Sequence, residues 1–341
     1  MKQLKVGLLG AGRMGAFHGE TIAKRIPNAS LCAIADPFPG AAEKLAEKLG
    51  LTIKTYINSG EMMEDPNIDA VIIASPAKTH ANNVIAAAKN GKAVFCEKPM
   101  AVTLEEADEV LQVVKEMNVP LQVGFNRRFA KGFRKAHDEI VAGSIGTPQL
   151  LRSLTRDPKL GDPSPIPQWN IFLETLIHDF DALLYFNPHA KPVEVFAAAD
   201  ALVRPDFKEK GFLDTAVVTI KFDNGAIATA EANFQAVYGY DVRGEIFGSE
   251  GMLQVGDVRE SNMIRYTKTG ISMDTCRYDQ DLLYDAYIEE LTSFVDSVLN
   301  DKPTYATGED ARAALLIALA SIESYKTNRP VKVKDGVLHL V

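Results

Sequence analysis

Residues 7–15 read GLLGAGRMG, a Gly10-x-Gly12-x-x-Gly15 spacing that directly follows the strand-like run LKVGLL and opens a helical stretch. A lone glycine triplet of this kind is weak evidence, but here it has the context that a dinucleotide-binding turn requires. Gly10 permits a tight turn, Gly12 removes a side chain where a pyrophosphate must approach the backbone, and Gly15 allows close packing behind the helix. The phosphates would then meet the first N–H groups of that helix, beside Arg13 and Met14. An acid, Asp36, ends the second apolar run about 20 residues on, where such folds place a carboxylate on the adenosine ribose. The following PFPG supplies no arginine to neutralise a 2′-phosphate, so the expected cofactor is NAD rather than NADP.

The segment around this motif has one grammar. Short apolar runs (SLCAIA, DAVIIA, KAVFC, PLQVG) alternate with amphipathic helices up to Gly124. Several runs are apolar without alternation, as parallel strands covered on both faces are. The expectation for 1–124 is a Rossmann-type doubly wound parallel sheet that binds NAD. Ligands bind such sheets at the carboxyl ends of their strands. Ser75 and Pro76 after the fourth strand, His80 at the next helix start, and Glu97 and Lys98 in FCEKPM after the fifth strand are therefore candidate cofactor contacts. Lys98 is expected near the nicotinamide.

From 125 to 341 the pattern changes to stretches that alternate polar and apolar residues, such as DTAVVTIKF and AIATAEANFQ, with Asp223-Asn224-Gly225 as a hairpin turn. This predicts an α+β domain with a large, open, mainly antiparallel sheet for substrate binding and oligomerisation. Residues 307–327 form a strong helix that could pack back on the first domain. In FLETLIHDFD, Glu174 and His178 stand four apart, on one face if the segment is an α-helix.

Composition excludes several classes. A net charge of -8 and a pI near 5.4 disfavour nucleic acid and anionic membranes as partners. Cys32, Cys96 and Cys276 have no zinc or disulfide spacing, and no cluster of metal ligands is visible, so no metal is expected. The amino terminus lacks a signal-peptide pattern and no apolar run is long enough to span a bilayer, so the chain reads as cytoplasmic.

GLLGAGRMG, CEKPM, FNRRF and ETLIHDFD, in this order and separation, resemble the glucose-fructose oxidoreductase/inositol dehydrogenase/MocA family over nearly the whole chain. The resemblance implies a homo-oligomer, tetramer or dimer, built through the second sheet. It also places Lys98 and His178 on the family's catalytic lysine and histidine. The implied reaction is NAD-dependent oxidation of a secondary hydroxyl of a cyclitol, with myo-inositol to its 2-keto form as the first candidate. An aldose dehydrogenase or keto-sugar reductase is the alternative, and a non-catalytic NAD-dependent sensor is the alternative of another class. Histidine suits removal of the hydroxyl proton because it ordinarily titrates near neutrality. Lys98 would place positive charge beside the developing alkoxide, and Glu174 would orient His178 or hold a neighbouring hydroxyl. Arg127, Asp157 and Tyr240 are further candidates for polyol binding. Two departures bear on the substrate: Glu174 stands where inositol dehydrogenases normally carry aspartate, and QWN at 168–170 replaces glycines common in relatives.

Overall fold

The computed structural model describes residues 3–334 and 336–340. The chain divides into two compact units, Met1–Asn126 with Tyr287–Arg312, and Arg127–Ala286 with Ala313–Val341. Residues 308–312 of the helix Gly308–Thr327 fall in the first unit and the rest in the second.

The first unit runs β1 (Leu4–Leu9), α1 (Arg13–Arg25), β2 (Ala29–Ala35), α2 (Ala41–Leu49), β3 (Lys54–Tyr56), α3 (Ser59–Glu64), β4 (Ala70–Ile73), α4 (His80–Lys89), β5 (Ala93–Cys96), α5 (Leu104–Met117) and β6 (Leu121–Val123). Its strands pair in the order β3-β2-β1-β4-β5-β6, all parallel. That order reverses direction at β1/β4, the switch point where such sheets bind dinucleotides. Every residue of β4 and β5 is buried, which explains why these runs lack alternation. The cluster beneath the sheet contains Leu8, Ile34, Ile72 and Phe95, and Leu291, Phe294 and Val295 join it from far along the chain. Each such side chain contributes roughly 1.5–3 kcal/mol by leaving water.

The remaining elements are α6 (Lys131–Val141), β7 (Pro148–Arg156), α7 (Ile177–Tyr185), β8 (Pro192–Asp200), β9 (Thr215–Phe222), β10 (Ile227–Asn233), β11 (Asp241–Gly248), β12 (Met252–Asp257), the hairpin β13 (Arg259–Thr267) and β14 (Gly270–Thr275), α8 (Asp279–Leu282), α9 (Tyr284–Leu299), α10 (Gly308–Thr327), β15 (Val331–Lys334) and β16 (Val337–Leu340). Eight strands form one sheet in the order β12-β11-β7-β10-β9-β8-β15-β16, antiparallel except for the parallel pair β7 and β10. The expected mainly antiparallel sheet is therefore present, and Gly225, at φ 89°, makes the turn between β9 and β10. Strand β9 alternates strictly: Ala216, Val218, Ile220 and Phe222 are buried, whereas Val217, Thr219 and Lys221 face out. Helix α7 packs on β7 and β10. Ser324 of α10 accepts a hydrogen bond from the Ala197 N–H of β8 at 3.0 Å.

Among the described residues no helix is long and apolar enough to cross a membrane. Cys32, Cys96 and Cys276 are free thiols.

Candidate active site

The glycine turn can be tested by asking what a methyl group would meet at each position. At Gly10, φ is +100° and a Cβ would lie 2.4 Å from the Ala74 carbonyl oxygen; at Gly15 it would lie 1.8 Å from that of Gly10. Both positions therefore require glycine, one for its backbone conformation and one for packing against the turn. At Gly12 nothing lies within 4 Å. That open face stands at the N-cap of α1, where no side chain caps the helix and no acidic residue occupies the first turn. The first turn of a helix presents N–H groups that have no intrahelical carbonyl, and the free space in front of Gly12 suits a pyrophosphate there.

Asp36 lies at the carboxyl end of β2. Its Oδ2 accepts the Ala11 N–H at 2.8 Å and its Oδ1 the Phe38 N–H at 2.9 Å. The carboxylate thus ties the glycine turn to the β2 loop, and each oxygen retains a lone pair for a ribose hydroxyl. The residues of this unit fit NAD.

Ser75 and Pro76 form the loop after β4, with the Ser75 and Thr79 hydroxyls 2.7 Å apart. His80 points its ring into the protein. It is buried, with Nδ1 2.7 Å from the Pro99 carbonyl and Nε2 2.7 Å from the Ser75 carbonyl. Its ring straps the loop after β4 to the loop after β5. Glu97 likewise turns its carboxylate inward, where it meets His18 Nε2 at 2.6 Å. Burial alone would raise the Glu97 carboxyl, but the His18 hydrogen bond and the charges of Lys98 and His80 hold it below its usual range. The second Glu97 oxygen accepts the Lys98 backbone N–H at 3.2 Å. Glu97 is therefore a support for Lys98, whose side chain is half-buried.

In the second unit, Glu174 and His178 are not on one continuous α-helix. Ile171–Thr175 forms a π-helical turn, closed by a 2.8 Å bond from the Leu176 N–H to the Ile171 carbonyl, and α7 begins only at Ile177. Such turns add a residue and re-aim the side chains around them, frequently at functional sites. Just before it, Trp169 has φ +65°, a conformation uncommon for a bulky side chain and free for glycine. The QWN departure thus falls where the backbone itself favours glycine. Glu174 and His178 are half-buried, whereas the intervening Leu176 and Ile177 are in the core.

Arg127 is held within the second unit. Its guanidinium is 3% exposed and is held by Asp179 at 2.6 Å, Ser153 at 3.3 Å and Thr155. Arg128 pairs with Asp181 in the same way, through a 2.8 Å bond. Both arginines neutralise buried acids of α7 and so hold the helix that carries His178. Asp157 and Tyr240 do come together. Burial first, then the neighbouring Asp157 and Asp279 carboxylates, push the Tyr240 hydroxyl well above its ordinary value, so it stays a neutral donor.

Ser153, Thr155, His18 and Glu290 escaped the sequence reading. Ser153 and Thr155 occupy the inward face of β7, two apart, polar where Leu151 of the same face is apolar. His18 and Glu290 stand on the core-facing stripes of α1 and α9. With Glu97 they form a buried cluster of metal-ligand types whose ligand atoms all lie within 4.8 Å of one another.

Comparison with known proteins agrees with this geometry. Residues 4–125 match the model of the oxidoreductase family with an NAD-binding Rossmann fold, and residues 133–254 match the GFO/IDH/MocA C-terminal domain. The chain is 38% identical to a myo-inositol 2-dehydrogenase of Thermotoga maritima, over 98% of this chain and 100% of that protein. It is 36% identical to a scyllo-inositol 2-dehydrogenase (NAD(+)) of Bacillus subtilis, over 97% of this chain and 96% of that one. A solved structure of scyllo-inositol dehydrogenase from Lactobacillus casei, with bound cofactor NAD(H) and scyllo-inositol, superposes with a TM-score of 0.92 at 30% identity, covering 97% of this chain and 99% of that one. Two matched family domains and relatives 36% and 38% identical over nearly the whole chain lead to one conclusion: the chain belongs to the GFO/IDH/MocA family of NAD-binding oxidoreductases.

Proposed function

We propose that this protein is an NAD-dependent inositol 2-dehydrogenase that oxidises one ring hydroxyl of a cyclitol, with myo-inositol to its 2-keto form as the reaction. The observation that carries the reading is the intact glycine cradle with Asp36, in a chain similar along its length to two inositol 2-dehydrogenases.

Bound NAD supplies the hydride acceptor. The carbinol carbon loses a hydride and its hydroxyl loses a proton, leaving the ketone. We assign the proton to His178 and charge stabilisation of the developing alkoxide to Lys98. Glu174 is assigned to orienting the imidazole or holding an adjacent hydroxyl. Asp157 and Tyr240, paired with each other and with the phenol kept neutral, are suited to donate to and accept from a polyol. Asp36 selects NAD through the ribose.

Following NADH absorbance with a panel of inositols and aldoses, with NAD and then NADP, tests the reading. Turnover of myo- or scyllo-inositol with NAD is the expected result. Turnover of aldoses alone would replace the cyclitol by a sugar, the alternative that Glu174 in place of aspartate leaves open. NAD binding without any turnover would make the protein a sensor.

We assign the protein to the cytoplasm and to a homo-oligomer, a tetramer or dimer formed through the second sheet. Adjacent strands of that sheet line up Met252, Phe247, Leu150 and Ile227 in register across its outer face. These side chains are 48%, 49%, 53% and 45% exposed, an apolar row that a second copy would cover. Sedimentation at micromolar concentration should give a dimer or larger; a monomer there would remove the assignment.

A further inference from the structure

Helix α9 turns Tyr287, Leu291, Phe294 and Val295 into the first unit, and position 290 lies on that same stripe. It is occupied by an acid. Glu290 is 0% exposed, and neither of its carboxylate oxygens has a hydrogen-bond partner in the protein. Its main chain is pinned, because Gln122 Nε2 of β6 donates to the Glu290 carbonyl at 2.7 Å.

The groups facing this carboxyl come from three elements besides its own. From α1 comes His18, also 0% exposed, with Nε2 2.6 Å from Glu97 Oε1. From the end of β5 comes Glu97, which also supports the Lys98 N–H. From β6 comes Gln122, whose buried Oε1 lacks a partner. On α9 itself, the Tyr287 ring stands edge-on to His18 with centroids 6.2 Å apart. Lys98 and His80 act on the cluster through their charge on Glu97.

Two carboxyl groups this close, both removed from water, cannot both ionise. Glu97 has the donors, so it holds the charge, and the proton stays on Glu290. Consistently, burial and then the Glu97 charge push the Glu290 carboxyl well above the usual carboxylate range.

We propose that Glu290 is a positioning residue: as a neutral acid it completes a buried Glu290–Glu97–His18 cluster that fixes the Lys98 loop to α1, the helix that receives the pyrophosphate. Its kinetic consequence rests on the reading of Lys98 above, but its protonation does not. A divalent cation held by the same three side chains is the competing arrangement. It requires both glutamates to ionise, and a cation bound to His18 Nε2 and Glu97 Oε1 would displace the hydrogen bond between them.

The test is thermal unfolding of the wild type, Glu290→Gln and Glu290→Leu between pH 5 and 9, with metal content measured on each. A carboxyl whose folded value is raised contributes stability that is fully present below its unfolded value, about 4.3, and loses it as pH rises through the folded value. The neutral amide of E290Q does not titrate. Its midpoint should therefore match the wild type near pH 5 and exceed it by on the order of 2–4 °C or more at pH 9. In kinetics E290L, which puts an apolar group where the carboxyl faces Glu97 and His18, should lower kcat about tenfold, and E290Q should restore most of it. A constant offset between E290Q and wild type at all pH values would overturn the neutral acid. So would a stoichiometric metal that E290Q loses and a chelator removes with the same loss of stability. An unchanged kcat in E290L would overturn the positioning role. Failure of the cyclitol reading would instead appear as an inactive wild type, with the unfolding comparison unaffected.

Discussion

Replacing His178 by asparagine should lower kcat for myo-inositol oxidation by about 10²- to 10⁴-fold, the usual worth of a positioned general base. Asparagine keeps a polar side chain but cannot take the hydroxyl proton at neutral pH. The fold should survive the change, because the helix that carries His178 is held independently. Asp179 and Asp181, on the buried side of α7, are paired with Arg127 and Arg128, and Phe180 and Leu183 are fully buried. NAD affinity should stay near the wild-type value, since the glycine turn and Asp36 are untouched. Stopped-flow NADH formation and a fluorescence titration with NAD measure the two quantities. A kcat within about threefold of wild type would remove His178 from the chemistry.

Replacing Lys98 by methionine should cost about 10²- to 10³-fold in kcat, by analogy with loss of one charged or hydrogen-bonding group at a developing oxyanion. Methionine keeps the stem of the side chain, so packing around the half-buried lysine is preserved. The loss should fall on kcat and much less on the KM for NAD, because charge on the alkoxide exists only in the transition state. Arginine would not rescue it. A planar fork cannot stand in for a compact ammonium in a site shaped for one. A K98M variant whose defect lay wholly in NAD affinity would make Lys98 a cofactor contact only.

How much of this was legible before folding depends on the range of each interaction. The glycine turn was readable because the positive φ at Gly10 and the close approach of Gly15 to the Gly10 carbonyl are demands of the turn itself. The parallel sheet was readable because buried strands such as Val71–Ile73 must be apolar on both faces. Asp36 was readable because its place at the end of β2 follows from chain order.

The internal partners of His80, Glu97 and Arg127 were not legible for one shared reason. Each is a polar residue at a strand end or loop, where sequence favours a ligand contact, yet each finds its partner inside the protein. His80 takes a carbonyl 19 residues away, Glu97 a histidine 79 residues away, and Arg127 an aspartate 52 residues away. Spacing along the chain carries no information about such partners. The π-turn at Ile171–Thr175 was invisible because an α-helical and a π-helical turn can share the same apolar pattern over ten residues. Glu290 did leave a signal: an acid on the core-facing stripe of an amphipathic helix needs an explanation wherever it occurs.

The proposal that Lys98 and His178 serve one transition state comes down to a single kinetic comparison. It is tested most directly by the kcat of the K98M/H178N double variant beside both single variants, with myo-inositol and NAD. Groups that serve one transition state are strongly non-additive, so the double variant should be no more than about threefold slower than the slower single variant. Losses that multiply in full would show the two residues acting independently and would contradict the account.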